Sequence, residues 1–460
     1  MRRREFITFL SGAMTLPTLP FGARVDAAMA DIPRLDFDKD GKLVGRLPVL
    51  GPEVTDVVLI SHGWNEGAES ALGHYQELVG PLELILSQYK AQWQGRTAAY
   101  FGVIWPSAKY ADDLTVINMR ADIGGQPPAG GAGGPTALKA ADLEARARDV
   151  AQFLGIDPDQ LATQALQAAG DVGARDALVS TLQNTTADRR RSLAADEQTK
   201  IEHDAAFSDT GRNLFSAVDH EVQHLSRNVG SGLTDNPLIG WLKQLRSDAN
   251  AIIAYILNIF AYNEMKIRAG IVGNGLAAHV LNSFLADRKR VHLVGHSFGG
   301  RLMIAATAAV EGKISNLTLL EGAFSHNALS RDPIGSINGA YRLVIDNAKV
   351  AGRIAAVHSD HDLAVWIAYP LASRVFRDSY SLGPAGPLGQ VFGGPADRYG
   401  AIGANGPQNL TGVNRWIFTG TLLPGLKPGV HALDCTSFVA SHSDVWKQGS
   451  AYIVAAGLLL

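Results

Sequence analysis

Short unbroken apolar runs punctuate this chain. Asp56-Val57-Val58-Leu59-Ile60-Ser61, Ala98 to Trp105, Val291-His292-Leu293-Val294, Leu317-Thr318-Leu319-Leu320-Glu321-Gly322 and Gly352-Arg353-Ile354-Ala355-Ala356-Val357-His358-Ser359 each read as a strand. Runs without polar alternation suit strands covered on both faces, as in a parallel sheet. Arg301-Leu302-Met303-Ile304-Ala305-Ala306 reads as a helix, and so does Ala251 to Tyr262. The second is apolar but broken by Asn258, too short to cross a bilayer, and is expected to be a buried helix. Tyr452 to Leu460 is expected to close a last helix. Leu35 to Val44 reads as two strands joined at Asp40-Gly41. Asp36, Asp38, Asp40 and Gly41 also match the opening of a calcium loop, but Leu47 stands where its closing glutamate belongs. Strands alternating with helices predict an α/β fold, a doubly wound, mostly parallel sheet with active residues at the carboxyl ends of its strands.

The alternation is interrupted. Gly124 to Pro135 is a Gly/Pro-rich stretch that forms neither helix nor central strand. From Thr136 the sequence turns Ala-rich and helix-forming, with one clear helix start: Asp157 as N-cap, Pro158 at the first helical position and Gln160 two later. The expected organisation is an export signal at 1–30, a first part of the core at 31–123, a linker at 124–135, a helical cap-like insertion at 136–249 and a second part of the core at 250–460. A cap over the active site would exclude water and select substrates.

Composition narrows the class. With 18% charged and 46% hydrophobic residues in 460, the chain suits a globular fold with a large core. The net charge is −3, and the brief Arg189-Arg190-Arg191 sits among acids, so no nucleic-acid partner is expected. The single cysteine, Cys435, excludes an intramolecular disulfide and reads as a small buried apolar residue. At the N-terminus, Arg3-Arg4-Glu5-Phe6-Ile7 precedes a mildly apolar stretch, and Ala28-Met29-Ala30 supplies small residues before Asp31. This resembles a twin-arginine export signal, with cleavage expected after Ala30 and Ala27 as the alternative. The expectation is an exported, periplasmic or secreted protein with no stable membrane insertion after cleavage.

Chemistry enters at Gly295-His296-Ser297-Phe298-Gly299, which lies between an apolar strand and a helix. A serine on a sharp strand-to-helix turn needs small neighbours, because the backbones crowd there. The helix that follows points its N-terminus at the place where negative charge develops. Ser297 is therefore the candidate nucleophile. The acid is sought past the strand ending near Ser359, where Asp360-His361-Asp362 stand; Asp362 is preferred and Asp360 is the reserve. In Ser441-His442-Ser443-Asp444-Val445-Trp446, His442 lies in a short loop before the last helix and suits the general base, with His431 in reserve. His62-Gly63-Trp64-Asn65 follows an early strand and can turn tightly enough to present a backbone N–H. The oxyanion donors are expected to be the amides of Trp64 and Phe298. Gly63, Gly295 and Gly299 support these turns, while His62, His292 and His296 read as packing or pocket-wall residues.

Taken together, His62-Gly63-Trp64, Gly295-His296-Ser297-Phe298-Gly299, the acid after a later strand and the late histidine resemble the α/β-hydrolase superfamily on its esterase- and lipase-like side. Met265-Lys266-Ile267-Arg268-Ala269-Gly270, Trp105-Pro106-Ser107 and Asp397-Arg398-Tyr399-Gly400-Ala401-Ile402-Gly403 resemble a group of bacterial α/β-hydrolases of uncertain substrate. The resemblance covers roughly residues 32–107 and 250–460 and leaves out the middle of the chain. It implies the fold and a Ser–Asp–His mechanism, without a substrate.

One competing motif lies in the insertion. His220-Glu221-Val222-Gln223-His224 matches a zinc-peptidase helix, with Glu221 as base. Its continuation fails: Arg227 stands where glycine is needed, no third histidine follows, and Glu264 is the conceivable third ligand. A solvated helix face is the expectation. The sequence thus predicts an exported carboxylesterase- or lipase-like serine hydrolase of small-molecule or lipid-like acyl esters, with no metal or organic cofactor. Peptidase, amidase or thioesterase chemistry on the same triad, and a non-catalytic binding protein on such a scaffold, are the alternatives.

Overall fold

The computed structural model describes residues 32–64, 66–107, 138–186, 210–228, 247–331, 338–362, 364–375, 394–420 and 427–460. The expected export segment and the Gly/Pro-rich linker lie outside these.

Among the described residues nine strands form one sheet: β1 (Arg34–Phe37), β2 (Leu43–Val44), β3 (Asp56–Ser61), β4 (Ala98–Ile104), β5 (Arg290–His296), β6 (Asn316–Leu320), β7 (Arg353–His358), β8 (Asn414–Ile417) and β9 (Gly429–Asp434). Their order is β2-β1-β4-β3-β5-β6-β7-β9-β8, and every pairing is parallel except β1 with β2. The β1–β2 pair is the expected hairpin. Asp38 spends its carboxylate on the Asp40 and Lys42 amides of that turn, each at 2.9 Å, as a hairpin requires. Strands β8 and β9 are additions to the expected set: β8 is mostly exposed, and in β9 only Ala432 and Leu433 give a buried apolar signal, beside a buried histidine.

Alternation along β3 sorts its side chains to two faces. Val58 and Ile60 join an apolar cluster with α1 (Ala68–Gln88) and α8 (Gln448–Leu458). Val57 and Leu59 join a larger one on the other face. That face carries α6 (Ala249–Leu276) and α7 (Phe298–Ala309). The insertion contributes α2 (Ala140–Leu154), α3 (Pro158–Gly170), α4 (Arg175–Thr186) and α5 (Gly211–Asn228). Leu143, Leu161, Leu178 and Leu214 of these helices belong to the same cluster as the sheet, so the insertion is continuous with the core. Asp157 caps α3 as expected, accepting from the Gln160 amide at 2.8 Å.

The buried helix expected at 251–262 extends further, through Leu276, and then through a π-helical turn at Ala277–Leu281. It is long and apolar enough to span a membrane by length and composition, with half of its most apolar stretch buried. The polar residues at 263–268 masked its continuation in the sequence. Glu264 and Arg268 are both buried and pair at 3.1 Å one turn apart. Arg268 also donates to the Pro106 carbonyl at 3.0 Å and the Phe153 carbonyl at 3.2 Å. A buried charge network of this kind ties α6 to the loop after β4 and to α2.

Candidate active site

The strand order reverses between β3 and β5. From that point the chain winds outward both ways, leaving a crevice beyond the carboxyl ends of the strands. Register sets what lines it. Ser61 pairs with Gly295, His296 with Leu320, and Leu320 with Val357. The residues that follow these ends are His62, Ser297, Glu321 and, after a short loop, Asp362.

Ser297 stands between β5 and α7 with φ 55° and ψ −121°, left-handed backbone that a side-chain-bearing residue rarely adopts. Neighbouring backbone holds it there: its amide donates to the Leu320 carbonyl, and its carbonyl accepts from Ala323, each at 3.0 Å. The flanking glycines are sterically required. A Cβ on Gly295 would lie 2.3 Å from the Gly299 carbonyl oxygen, and one on Gly299 would lie 2.4 Å from that of His62.

Three side chains form a continuous hydrogen-bonded line. The Ser297 hydroxyl donates to His442 Nε2 at 2.8 Å, and His442 Nδ1 donates to Asp362 Oδ2 at 2.6 Å. The other Asp362 oxygen accepts from the Ala364 and Val365 amides at 3.0 and 3.2 Å, which fixes the buried carboxylate. Burial pulls the His442 imidazolium down, but the Asp362 charge and hydrogen bond outweigh it, and its pKa is raised. Asp360 is exposed and its amide donates to Thr436 Oγ1. His431 lies within β9 between Trp416 Nε1 and the Lys427 carbonyl. Neither reserve residue joins the line.

His296 packs against His442. Its Nε2–H donates to the His442 carbonyl at 2.7 Å, and the two rings lie 4.7 Å apart. Burial, reinforced by the nearby His442 charge, drops its pKa to about 3, so it stays neutral. Trp446 meets the His296 ring edge-on at 5.4 Å and stacks on His74 at 5.5 Å. His74 in turn bonds Glu66 at 2.6 Å. The loops carrying Asp362 and His442 are also joined directly, because Ser359 Oγ donates to the Val439 carbonyl at 2.8 Å.

The segment after β3 presses on Ser297. A Cβ on Gly63 would sit 2.7 Å from Ser297 Cβ. His62 is fully buried: its Nδ1 donates to the Gly63 carbonyl at 2.9 Å, its amide donates to Tyr75 at 2.7 Å, and its carbonyl accepts from Trp105 Nε1 at 3.2 Å. These bonds set the path of Gly63-Trp64 toward Ser297. Phe298 opens α7, so its N–H is one of those a helix leaves free of an intrahelical acceptor. The Trp64 ring packs edge-on against Tyr262 and Phe298, at 6.0 and 6.2 Å, and Tyr262 reaches Tyr369 at 6.1 Å. An aromatic wall therefore borders the crevice beside the two amides.

His292 pairs with Asp56 at 2.9 Å and accepts from Asn316 at 3.0 Å, a satisfied core histidine. In the zinc-peptidase motif, His220 is exposed on α5, while the side chains of Glu221 and His224 lie outside the described residues. Ligand atoms of His296, Glu321 and His442 do cluster within 4.8 Å of one another. However, His296 Nε2 and both His442 nitrogens are committed to the bonds above, so a metal there would have to break the Ser–His–Asp line.

The reading of the chain passed over Glu321, inside the run Leu319-Leu320-Glu321-Gly322. It is fully buried, 3.8 Å from His442 Nδ1. A carboxylate directly after the apolar pair Leu319-Leu320 is the signal that could have singled it out. The segment Asp397–Gly403 also converges here, its Ile402 and Gly403 amides donating to the Phe324 and Gly322 carbonyls. The chain matches no protein-family model, no curated protein and no solved structure.

Proposed function

We propose that this chain is a serine hydrolase of the α/β-hydrolase type that cleaves carboxylic esters through an acyl-enzyme. The observation that carries the reading is the unbroken line from Ser297 Oγ through His442 to Asp362, at 2.8 and 2.6 Å, set on a strained strand-to-helix turn. Strain of this kind costs about 1–3 kcal/mol and persists where surrounding structure enforces it.

In this mechanism His442 Nε2 takes the hydroxyl proton as Ser297 Oγ attacks the ester carbonyl. Asp362 holds the tautomer with the proton on Nδ1 and balances the imidazolium. The amides of Trp64 and Phe298 receive the oxyanion. The imidazolium then protonates the departing alkoxide, and the neutral imidazole later removes a proton from water to release the acid. The aromatic wall of Trp64, Tyr262 and Tyr369 favours an apolar acyl group beside the oxyanion donors. Export through a twin-arginine signal belongs to the same proposal, with the insertion helices acting in substrate selection.

Pre-steady-state hydrolysis of a chromogenic ester tests the reading. A burst of leaving group matching the enzyme concentration is expected, abolished in Ser297→Ala. A burst that survives in Ser297→Ala would overturn it.

A further inference from the structure

Glu321 stands where β6 ends, behind the imidazole of the proposed base. Its side chain is fully buried, and its backbone has φ 48°, a conformation that favours glycine. Gly403 presses on it from the far side: a Cβ there would lie 2.4 Å from the Glu321 carbonyl carbon. A bulky, ionisable residue is thus kept at a place where a small neutral one would fold more easily.

What faces Glu321 is mostly acceptor. Among the described residues neither carboxyl oxygen has a hydrogen-bond donor, and the Asp362 carboxyl lies against it. Glu321 Oε2 and Asp362 Oδ2 flank the same imidazole nitrogen, His442 Nδ1, at 3.8 and 2.6 Å. Asp444 and Lys447 on the base loop and Cys435 beyond β9 complete its charged or titratable surroundings. Two ionised carboxylates packed together offer acceptors only; Asp362 is satisfied by His442 and two amides, so an ionised Glu321 would be left buried and unpaired, which is costly. A single proton turns the contact into a hydrogen bond.

We propose that Glu321 is a positioning residue: it forms a carboxyl pair with Asp362 that holds one proton, Glu321 keeping it at rest, and Glu321 takes over as the acid when Asp362 is lost. The inference rests on the serine-hydrolase reading for its catalytic consequence, though not for the proton itself. Burial, with the Asp362 charge behind it, pushes the Glu321 carboxyl well above its ordinary range, the same direction as the geometry. During acylation the Ser297 proton goes to His442 Nε2 and the Glu321 proton stays in place. The imidazolium therefore meets one negative charge instead of two. Without Asp362, Glu321 releases its proton to water and its carboxylate faces Nδ1.

Two measurements on the full chain decide this. The first is infrared spectroscopy at neutral pH, seeking the carbonyl stretch of an un-ionised carboxyl group that vanishes in Glu321→Gln. The second is the rate of fluorophosphonate labelling at Ser297 across pH in wild type, Glu321→Gln, Asp362→Ala and the double variant. Asp362→Ala is expected to lose about 10²-fold and the double variant about 10⁴-fold, the loss typical of a triad without its acid. The midpoint of the acid limb should hold its wild-type pH in Glu321→Gln, and should fall if Glu321 were ionised in the wild type. No un-ionised band in the wild type, or equal rates in Asp362→Ala and the double variant, would overturn the proposal. If Glu321→Gln fails to fold, Glu321→Leu takes its place in both measurements, with the same outcomes deciding. A band with no labelling would uphold the shared proton and count against the hydrolase reading instead.

Discussion

Gly63→Ala separates a backbone oxyanion donor from a side-chain role more cleanly than any substitution of Trp64. The new methyl group would lie 2.7 Å from Ser297 Cβ, 3.2 Å from His296 Nδ1 and 3.3 Å from Ser297 Oγ. Carbon atoms settle at about 3.5–4.0 Å, so Gly63-Trp64 or Ser297 must retreat by about 1 Å. Ser297 is held through its own amide and carbonyl, and His296 through its bond to His442, so the loop is the part that gives. A displacement of about 1 Å at a reacting centre costs about 10²-fold. Removing one oxyanion donor costs about 10²–10³-fold in kcat, and the two estimates agree. Overpacking should lower stability by only about 1–3 kcal/mol, leaving the variant folded. Steady-state ester hydrolysis alongside thermal unfolding reads both effects. A folded Gly63→Ala with wild-type kcat would refute the assignment of the Trp64 amide to the oxyanion.

Trp64→Ala keeps that amide and removes an aromatic wall, so KM should rise while kcat falls less than in Gly63→Ala; steady-state kinetics on esters of increasing acyl length checks this. The pH profile follows from the base. His442 must be neutral to act, and its pKa is raised, so the acid limb of kcat/KM should have a midpoint above 6.5 and fall about tenfold per pH unit below it; a profile flat through 6.5 would contradict this. Asp56 is buried beneath Arg96, Arg290 and His292. Burial opposes its ionisation, but those hydrogen bonds outweigh it and hold its pKa far below the ordinary carboxylate range. Its stabilisation is therefore present above the unfolded carboxylate pKa and is lost as pH falls through the lower folded one. Asp56→Ala should lose about 3–5 kcal/mol at neutral pH, read by denaturant titration. A chelator should leave ester hydrolysis unchanged, because both His442 nitrogens are taken up by Ser297 and Asp362; loss of activity restored by added zinc would reverse that.

Most of the central sheet was legible because parallel strands buried on both faces are written as apolar runs. β3 runs from Asp56 to Ser61 as its run implies, while β5 extends beyond the run Val291–Val294 to Arg290–His296. The nucleophile turn was legible from glycines whose absent Cβ atoms leave room for crossing backbones. Edge strands were not. In β8, Trp416 and Ile417 are largely solvent-exposed, so no burial pattern marks them. The extent of α6 was hidden by Glu264, Lys266 and Arg268, which look like a polar boundary yet are buried. Glu321 was missed because a lone acid in an apolar run carries no spacing signal. Its meaning appears only when β6 and β7 align and bring it beside Asp362. Choosing between Asp360 and Asp362 likewise needed the loop: Asp360 turns outward, and Asp362 is fixed by the Ala364 and Val365 amides.

The central claim is that Ser297 is an activated nucleophile. Fluorophosphonate treatment of the purified chain, followed by peptide mapping, tests it most directly. The account predicts one covalent adduct per chain, on the peptide containing Ser297, formed far faster than on other serines and abolished in His442→Ala as well as Ser297→Ala. An adduct elsewhere, or labelling of Ser297 that persists at the wild-type rate without His442, would contradict it.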